Sequence, residues 1–137
     1  STRPIWVAED SILLSRMIQE ALHKAGYTNI RLFPNGEELW EALQQWKDDP
    51  DLSQHVALII TDLEMPQMDG HRLTMLVKSD AFFKRIPVVI FSSLISEEMY
   101  IKGKQLGADE QLSKPEIGHL IGVIDALLAQ AEAGKEA

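Results

Sequence analysis

Short apolar runs alternate with segments of helical periodicity along almost the whole chain. Each run is too short for a buried helix, and after each one apolar residues recur every three or four positions, as on one face of a helix. No internal repeat or low-complexity tract interrupts the pattern. The sequence therefore predicts successive β-α units, with strands near 5–8, 30–33, 56–60, 87–91 and 110–112.

Strict β-α alternation predicts a parallel sheet with right-handed crossovers and helices on both faces, an α/β doubly wound fold. With 137 residues the chain can bury one core but not two, since a second domain would need about 100 residues more. We predict one domain over 1–137. The chain begins at Ser1 without an initiator Met, so we expect it to be a segment of a longer protein. The polar stretch 46–55 is predicted to be a surface loop, and 131–137 to fray.

The charge balance argues against nucleic acid and membrane partners. Net charge is −8, from 21 acidic and 13 basic residues, and no Lys/Arg cluster could neutralise phosphates. No apolar run approaches the roughly 20 residues that span a bilayer. The absence of cysteine excludes disulfides and thiolate chemistry and fits a reducing compartment. We predict a soluble, cytoplasmic protein without nucleic acid binding or membrane insertion.

Polar side chains follow four of the predicted strands where those strands end. Glu9 and Asp10 come after the first strand, Asp62 after the third, Ser92 after the fourth and Lys114 after the fifth. Parallel strands present their carboxyl ends at one edge, where ligands of open α/β sheets bind. We expect these five side chains to converge.

Three neighbouring carboxylates need a cation or raised pKa values. The predicted cluster offers oxygen ligands without a His or Cys set, since the four histidines are scattered over separate elements. Mg²⁺ is therefore favoured over zinc. A metal and Lys114 beside one carboxylate, Asp62, would offset the charges that keep a phosphate donor away. The predicted chemistry is phosphoryl acceptance.

These residues carry a resemblance to the receiver domains of response regulators (the CheY-like family) over essentially the whole chain. The matching features are Glu9-Asp10, the Leu-Glu-Met-Pro-Gln-Met-Asp-Gly segment at 63–70, Ser92-Ser93 and Lys114-Pro115. Ser92 lies 30 residues after Asp62, and Lys114 lies 22 after Ser92, as in chemotaxis receivers. The segments 33–39 and 91–96 are further similar to the C-terminal receiver of the CheV chemotaxis coupling proteins.

The resemblance implies a flavodoxin-like (βα)5 fold with strand order 2-1-3-4-5. It implies that Asp62 takes a phosphoryl group from the phosphohistidine of a CheA-like sensor kinase, or from acetyl phosphate. Ser92 and Lys114 would contact the phosphoryl oxygens. The implied partners also include an upstream CheW-like coupling domain and a chemoreceptor complex, and the implied output is a changed protein interface, on the helix after strand four, strand five and the last helix.

The resemblance also implies a Mg²⁺ ligand set. Asp10 and Asp62 would bind the ion directly, and Glu9 would act through a metal-bound water. The backbone carbonyl of Glu64 would complete the protein's share of the shell. Autodephosphorylation by water would reset the domain, which is a signalling module rather than an enzyme acting on a separate substrate.

One position departs from the family's pattern. Three residues before the lysine the family usually has Tyr or Phe, whose rotamer reports phosphorylation, whereas this chain has Gln111. We expect signalling to persist through Ser92, the loop after strand four and the following helix.

Two alternatives remain open on the sequence. A pseudo-receiver would share the fold and bind partners without accepting phosphate. A Mg²⁺-dependent phosphohydrolase of the HAD class also uses a strand-end Asp, with a second acid two residues later, where this chain has Glu64. Its residue order and larger size fit this chain less well.

Overall fold

Five parallel strands form one sheet in the computed structural model, which describes residues 1–114 and 116–136, with side chains described up to residue 133. Their order is β2-β1-β3-β4-β5, as predicted, and every neighbouring pair is parallel. The chain turns to opposite sides of the sheet at β1 and β3, which puts a crevice between their carboxyl ends. The strands are β1 (Ile5–Ala8), β2 (Ile30–Phe33), β3 (Leu58–Thr61), β4 (Val88–Ser92) and β5 (Glu110–Ser113).

Helices cover both faces of the sheet. A single 3-10 turn at Phe83–Arg85 precedes β4. Within the described ranges, no helix has the length and apolar character needed to cross a membrane. The helices are α1 (Ile12–Lys24), α2 (Gly36–Gln44), α3 (Leu52–His55), α4 (Gly70–Ser79), α5 (Glu97–Gln105) and α6 (Ile117–Glu136).

The core has two halves, one on each face of the sheet. Successive residues of a strand point to opposite faces, so Ile5 and Val7 of β1 pack in the half that contains α1 and α6. Trp6 and Ala8 pack in the other half, with α2 and α4. All four side chains are at most 3% exposed. Burial on both faces explains why the central strands are continuously apolar.

The stretch 46–55 is more ordered than predicted. It contains the short helix α3, and Leu52 is buried against the α2–α4 half of the core. The Trp46 ring stacks on the His55 ring, with centroids 3.6 Å apart and planes 2° apart. Most of the stretch is an exposed loop, as predicted, but its last four residues form a helical turn whose buried Leu52 holds it against the domain.

Helix α2 begins with an N-cap at Asn35. The Asn35 side chain accepts a hydrogen bond from the backbone N–H of Glu38 at 2.9 Å, which is the expected N-cap. The Glu38 carboxylate instead accepts from the side-chain amide of Asn35 at 3.3 Å. A reciprocal capping box would need the Asn35 backbone N–H. Asn35 therefore caps the backbone N–H of Glu38, but the Glu38 carboxylate makes no return hydrogen bond to the Asn35 backbone.

The ends of the chain meet at the amino edge of the sheet. Helix α6 starts after β5 and runs back, so that Arg3 Nη1 lies 3.4 Å from Glu132 Oε1 and 3.0 Å from the Leu128 carbonyl oxygen. Pro115, the second residue of the Lys114-Pro115 motif, lies outside the described residues. The predicted fraying of 131–137 remains a prediction, with the helix extending to Glu136.

His71 of α4 is expected to make stability depend on pH. Burial lowers the pKa of this imidazole, which is 9% exposed, below its ordinary value. Below about pH 6.5, His71 is therefore protonated in the unfolded chain but remains neutral in the folded chain. As the pH falls through this range, the free energy of unfolding decreases by at most about 1.4 kcal/mol per pH unit. Urea unfolding between pH 7.5 and 5.5 should show a shallower fall for His71→Gln than for the exposed control His23→Gln. Equal slopes would contradict this.

Candidate functional site

Three acidic residues meet at the carboxyl edge of the sheet. Glu9 and Asp10 follow β1 and Asp62 follows β3, and one carboxylate oxygen from each lies within 4.8 Å of the others. Glu9 and Asp62 are buried, at 3% and 6% exposure, while Asp10 is exposed. The parallel register brings them together, because Ala8 and Thr61 are paired across β1 and β3. The structure thus brings these three acids together, as predicted.

Lys114 lies between two of these carboxylates. Its Nζ is 2.7 Å from Glu9 Oε1 and 3.1 Å from Asp62 Oδ2. Burial alone would lower the pKa of Lys114, but the contacts with both carboxylates outweigh it and raise the pKa above its ordinary value. The ammonium therefore stays charged at neutral pH. It bridges two elements of the sheet that are distant in sequence.

Glu9 is held by the start of α1. Its Oε2 accepts a hydrogen bond from the Ser11 backbone N–H at 3.0 Å, and its backbone carbonyl accepts from the Ser15 hydroxyl at 3.3 Å. Burial raises the pKa of Glu9, against the opposing effects of Lys114 and the Ser11 N–H, and the negative charge of Asp62 raises it further. The glutamate is fixed in place yet incompletely neutralised by its neighbours.

Asp62 has each carboxylate oxygen assigned to a different donor. Oδ1 accepts from the Leu63 backbone N–H at 2.8 Å, and Oδ2 faces Lys114. The backbone N–H of Asp62 donates to the Ala8 carbonyl at 3.0 Å, continuing the β1–β3 ladder. These contacts orient the side chain at the mouth of the crevice.

Gly70 packs directly against the backbone of Asp62. A Cβ on Gly70 would lie 2.0 Å from the Asp62 carbonyl oxygen and 2.9 Å from its carbonyl carbon. The Gly70 N–H also donates to the Leu63 carbonyl at 2.9 Å. This contact was not predicted, although a Gly eight residues after a strand-end Asp was a visible signal. Asp69 caps α4 by accepting from the Arg72 N–H at 2.8 Å.

The loop between Asp62 and α4 packs on the start of α2. Gln67 takes a positive φ of 64°, and its side-chain carbonyl accepts from the Asn35 amide at 3.2 Å. Gly36 lies so close to Met68 that a Cβ there would be 2.8 Å from the Met68 carbonyl oxygen. Asn35, which caps α2, thus also holds the loop between Asp62 and α4 in place.

Ser92 and Glu64 occupy different environments. Ser92 ends β4 at 2% exposure, and its backbone carbonyl accepts from the Lys114 N–H at 2.8 Å, so both lie on the same edge. Glu64 is exposed, two residues beyond Asp62. The roles predicted for the Ser92 hydroxyl and the Glu64 carbonyl remain predictions.

The donor set fits a hard divalent cation. One oxygen from each carboxylate lies within 4.8 Å of the others, so small side-chain movements would bring them within the distance of about 4.2 Å that separates opposite ligands of an ion bound at about 2.1 Å. All three candidate ligands are oxygens, and Lys114 supplies a positive charge next to Glu9 and Asp62. A carboxylate with a cation site and an ammonium beside it can approach an anionic phosphate donor.

Known proteins share this sequence pattern and fold. Chemotaxis protein CheY1 of Helicobacter pylori is 30% identical over 80% of this chain and 82% of its own length. Chemotaxis protein CheV1 of the same species is 34% identical over 83% of this chain, which spans only 34% of that protein. The crystal structure of the phosphorylated cyanobacterial phytochrome response regulator RcpA superposes with a TM-score of 0.74 at 26% identity, covering 93% of this chain and 91% of that one. The sequence model of the response regulator receiver domain matches residues 5–125, and the chain belongs to that family.

Proposed function

We propose that this chain is the phosphoacceptor domain of a two-component signalling protein, with Asp62 as the acceptor. The observation that supports this most is Lys114, which lies between Glu9 and Asp62 at 2.7 and 3.1 Å. In the proposed step, an Asp62 carboxylate oxygen forms a bond to phosphorus while the P–N bond of a kinase phosphohistidine breaks. The departing imidazole takes up a proton from solvent. Lys114 and Ser92 bind the phosphoryl oxygens.

Mg²⁺ is the proposed cofactor. Asp10 and Asp62 would hold it directly, Glu9 through water, and Glu64 through its backbone carbonyl. The ion supplies positive charge that offsets the carboxylates and the incoming phosphate. The cluster of two buried acids and one exposed acid supports this assignment, and the oxygen-only donor set favours Mg²⁺ over softer metals.

The surface beside Glu9 and Asp10 is open and partly apolar. A cavity of about 260 Å³ is lined by Glu9, Asp10, Ile12 and Phe33, among others. Ile12 and Leu13, at the start of α1, are 73% and 70% exposed. An open, partly apolar approach suits a protein donor as well as a small one.

Chemotaxis is the proposed setting, with a CheA-like histidine kinase as donor. The similarity to the CheV1 and CheV2 proteins of Helicobacter pylori supports a parent chain with an upstream CheW-like coupling domain acting at a chemoreceptor complex. The output would be a changed protein interface on α5, β5 and α6, reached through Ser92 and the loop 93–96. A phosphomimic at Asp62 should then change the amide spectra of residues 92–112, and an unchanged spectrum would contradict this route.

Incubation with Mg²⁺ and acetyl phosphate tests the acceptor. Intact-protein mass spectrometry should show one phosphoryl adduct in the wild-type chain, none in Asp62→Asn and none when Mg²⁺ is chelated. Asp48→Asn is a matched control, because Asp48 is an exposed aspartate in the 46–55 stretch and Asn tolerates its positive φ. That variant should label like the wild type.

Three other outcomes would contradict the proposal. A stable protein that never forms an adduct would be a pseudo-receiver. An adduct that persists in Asp62→Asn would place the acceptor elsewhere. Hydrolysis of a phosphate ester far beyond one equivalent would identify a phosphohydrolase.

A further inference from the structure

Helix α5 is attached to the domain with almost no apolar burial. Its only buried residue is Gly103, and Tyr100 and Ile101 are 46% and 48% exposed. Packing of an apolar face is what holds most helices in proteins. The position of α5 must therefore depend on other contacts.

Two polar side chains provide those contacts. Gln111 of β5 donates from Nε2 to the Tyr100 carbonyl at 2.8 Å. His71 of α4 donates from Nε2 to the Met99 carbonyl at 3.2 Å. Two successive carbonyls of α5 are thus held by two different elements, one on each side. We call these two side chains and the two carbonyls the polar latch.

Gly103 makes room for the Gln111 side chain. A Cβ at position 103 would lie 2.3 Å from Gln111 Oε1 and 2.7 Å from its Cδ. Gln111 is 9% exposed, and its Oε1 is buried without a hydrogen-bond partner among the described residues. The side-chain amide therefore packs against Gly103 and is held by one hydrogen bond, to the Tyr100 carbonyl. Turning it outward would break that bond and empty the space against Gly103.

We propose that the polar latch sets the position of α5, and that Gln111 keeps its inward place whether or not Asp62 is phosphorylated. The second part rests on the proposed function of Asp62. Lys114 contacts Asp62 and directly follows β5, the strand that carries Gln111. While Gln111 stays hydrogen-bonded to Tyr100, a displacement at Lys114 moves β5 and α5 together. The signal then reaches α5 without a rotamer change at position 111.

Hydrogen exchange tests the first part. In Gln111→Ala the amides of 97–105 should exchange about fivefold faster, the factor expected for one lost hydrogen bond in a locally opening helix. Gln111→Glu has the same shape but cannot donate to Tyr100, so it should behave alike. Gln45→Glu adds the same charge at an exposed site and should leave α5 unchanged. Exchange at wild-type rates in both Gln111 variants would overturn the latch.

Side-chain amide NMR tests the second part. The Gln111 NH₂ protons should show the same nuclear Overhauser contacts to Gly103 in Mg²⁺ alone and after adding beryllium fluoride, which mimics a phosphoryl group on a carboxylate. Loss of those contacts on adding beryllium fluoride would overturn a fixed Gln111. Labelling by acetyl phosphate keeps the two proposals apart. No adduct in wild-type protein refutes the function of Asp62, while the exchange result still decides the latch.

Discussion

Lys114→Met is expected to slow phosphoryl transfer from acetyl phosphate to Asp62 by about a hundredfold, the cost of losing one preorganised donor at a developing charge. Lys114 is the only side chain that contacts both Glu9 and Asp62 among the ion pairs of the described residues. Methionine keeps the length of the side chain and removes the charge. The variant should bind Mg²⁺ more tightly, because a like charge beside the carboxylates is gone. Quantitative mass spectrometry and a Mg²⁺ titration measure the two changes.

The same substitution should lower stability in the absence of Mg²⁺. It leaves Glu9 and Asp62 buried and facing each other without a cation, which costs about 3–5 kcal/mol when a buried pair loses one partner. Urea unfolding should show that loss, and Mg²⁺ should restore much of it. Lys24→Met, at an exposed position in α1, should change neither stability nor labelling. A Lys114→Met protein that labels at the wild-type rate would refute this role for Lys114.

Gly70→Ala is expected to destabilise the fold by about 3 kcal/mol, the upper end of the usual cost of overpacking. The new Cβ would lie 2.0 Å from the Asp62 carbonyl oxygen and 3.0 Å from Leu63 Cα. Both are backbone atoms of the strand end and cannot swing aside as a flexible side chain would. Either α4 shifts or Asp62 moves, so labelling by acetyl phosphate should fall even where the protein remains folded. Urea unfolding and labelling at low temperature measure the two effects.

Gly122→Ala gives a matched control within α6. Apart from its chain neighbours and the nearby backbone of its own helix, nothing lies within 4 Å of a Cβ built there, so the change only improves helix propensity and should stabilise the protein by up to about 1 kcal/mol. If Gly70→Ala lowers the free energy of unfolding and Gly122→Ala raises it, the loss at position 70 comes from the contact with Asp62 and not from the Gly→Ala change itself. A Gly70→Ala protein with a wild-type unfolding midpoint would contradict the prediction.

The sheet and the grouping of the acids were predictable because each depends on one-dimensional signals. Apolar runs define the strands, and a parallel sheet then brings Glu9, Asp10 and Asp62 to the same edge whatever the details of packing. The strand boundaries were predicted less accurately, since β3 begins at Leu58 and not at position 56. Val56 and Ala57 are buried before the strand begins, and sequence cannot separate burial from sheet pairing.

Other features could not be read from the sequence because they depend on close approach in three dimensions. The contact of Gly70 with the Asp62 backbone and the fit of Gln111 against Gly103 each join positions that no periodicity relates. At position 111 the sequence indicated only a missing aromatic. The structure adds what replaces it, a donor to the Tyr100 carbonyl.

The Arg3–Glu132 contact joins the segment just before the first strand to the last helix at the amino edge of the sheet, opposite the Asp62 edge. An affinity tag, fluorophore or sensor-chip tether attached at either end would therefore leave the acidic edge open to donors. Kinase docking can then be measured on an immobilised domain without occluding Asp62.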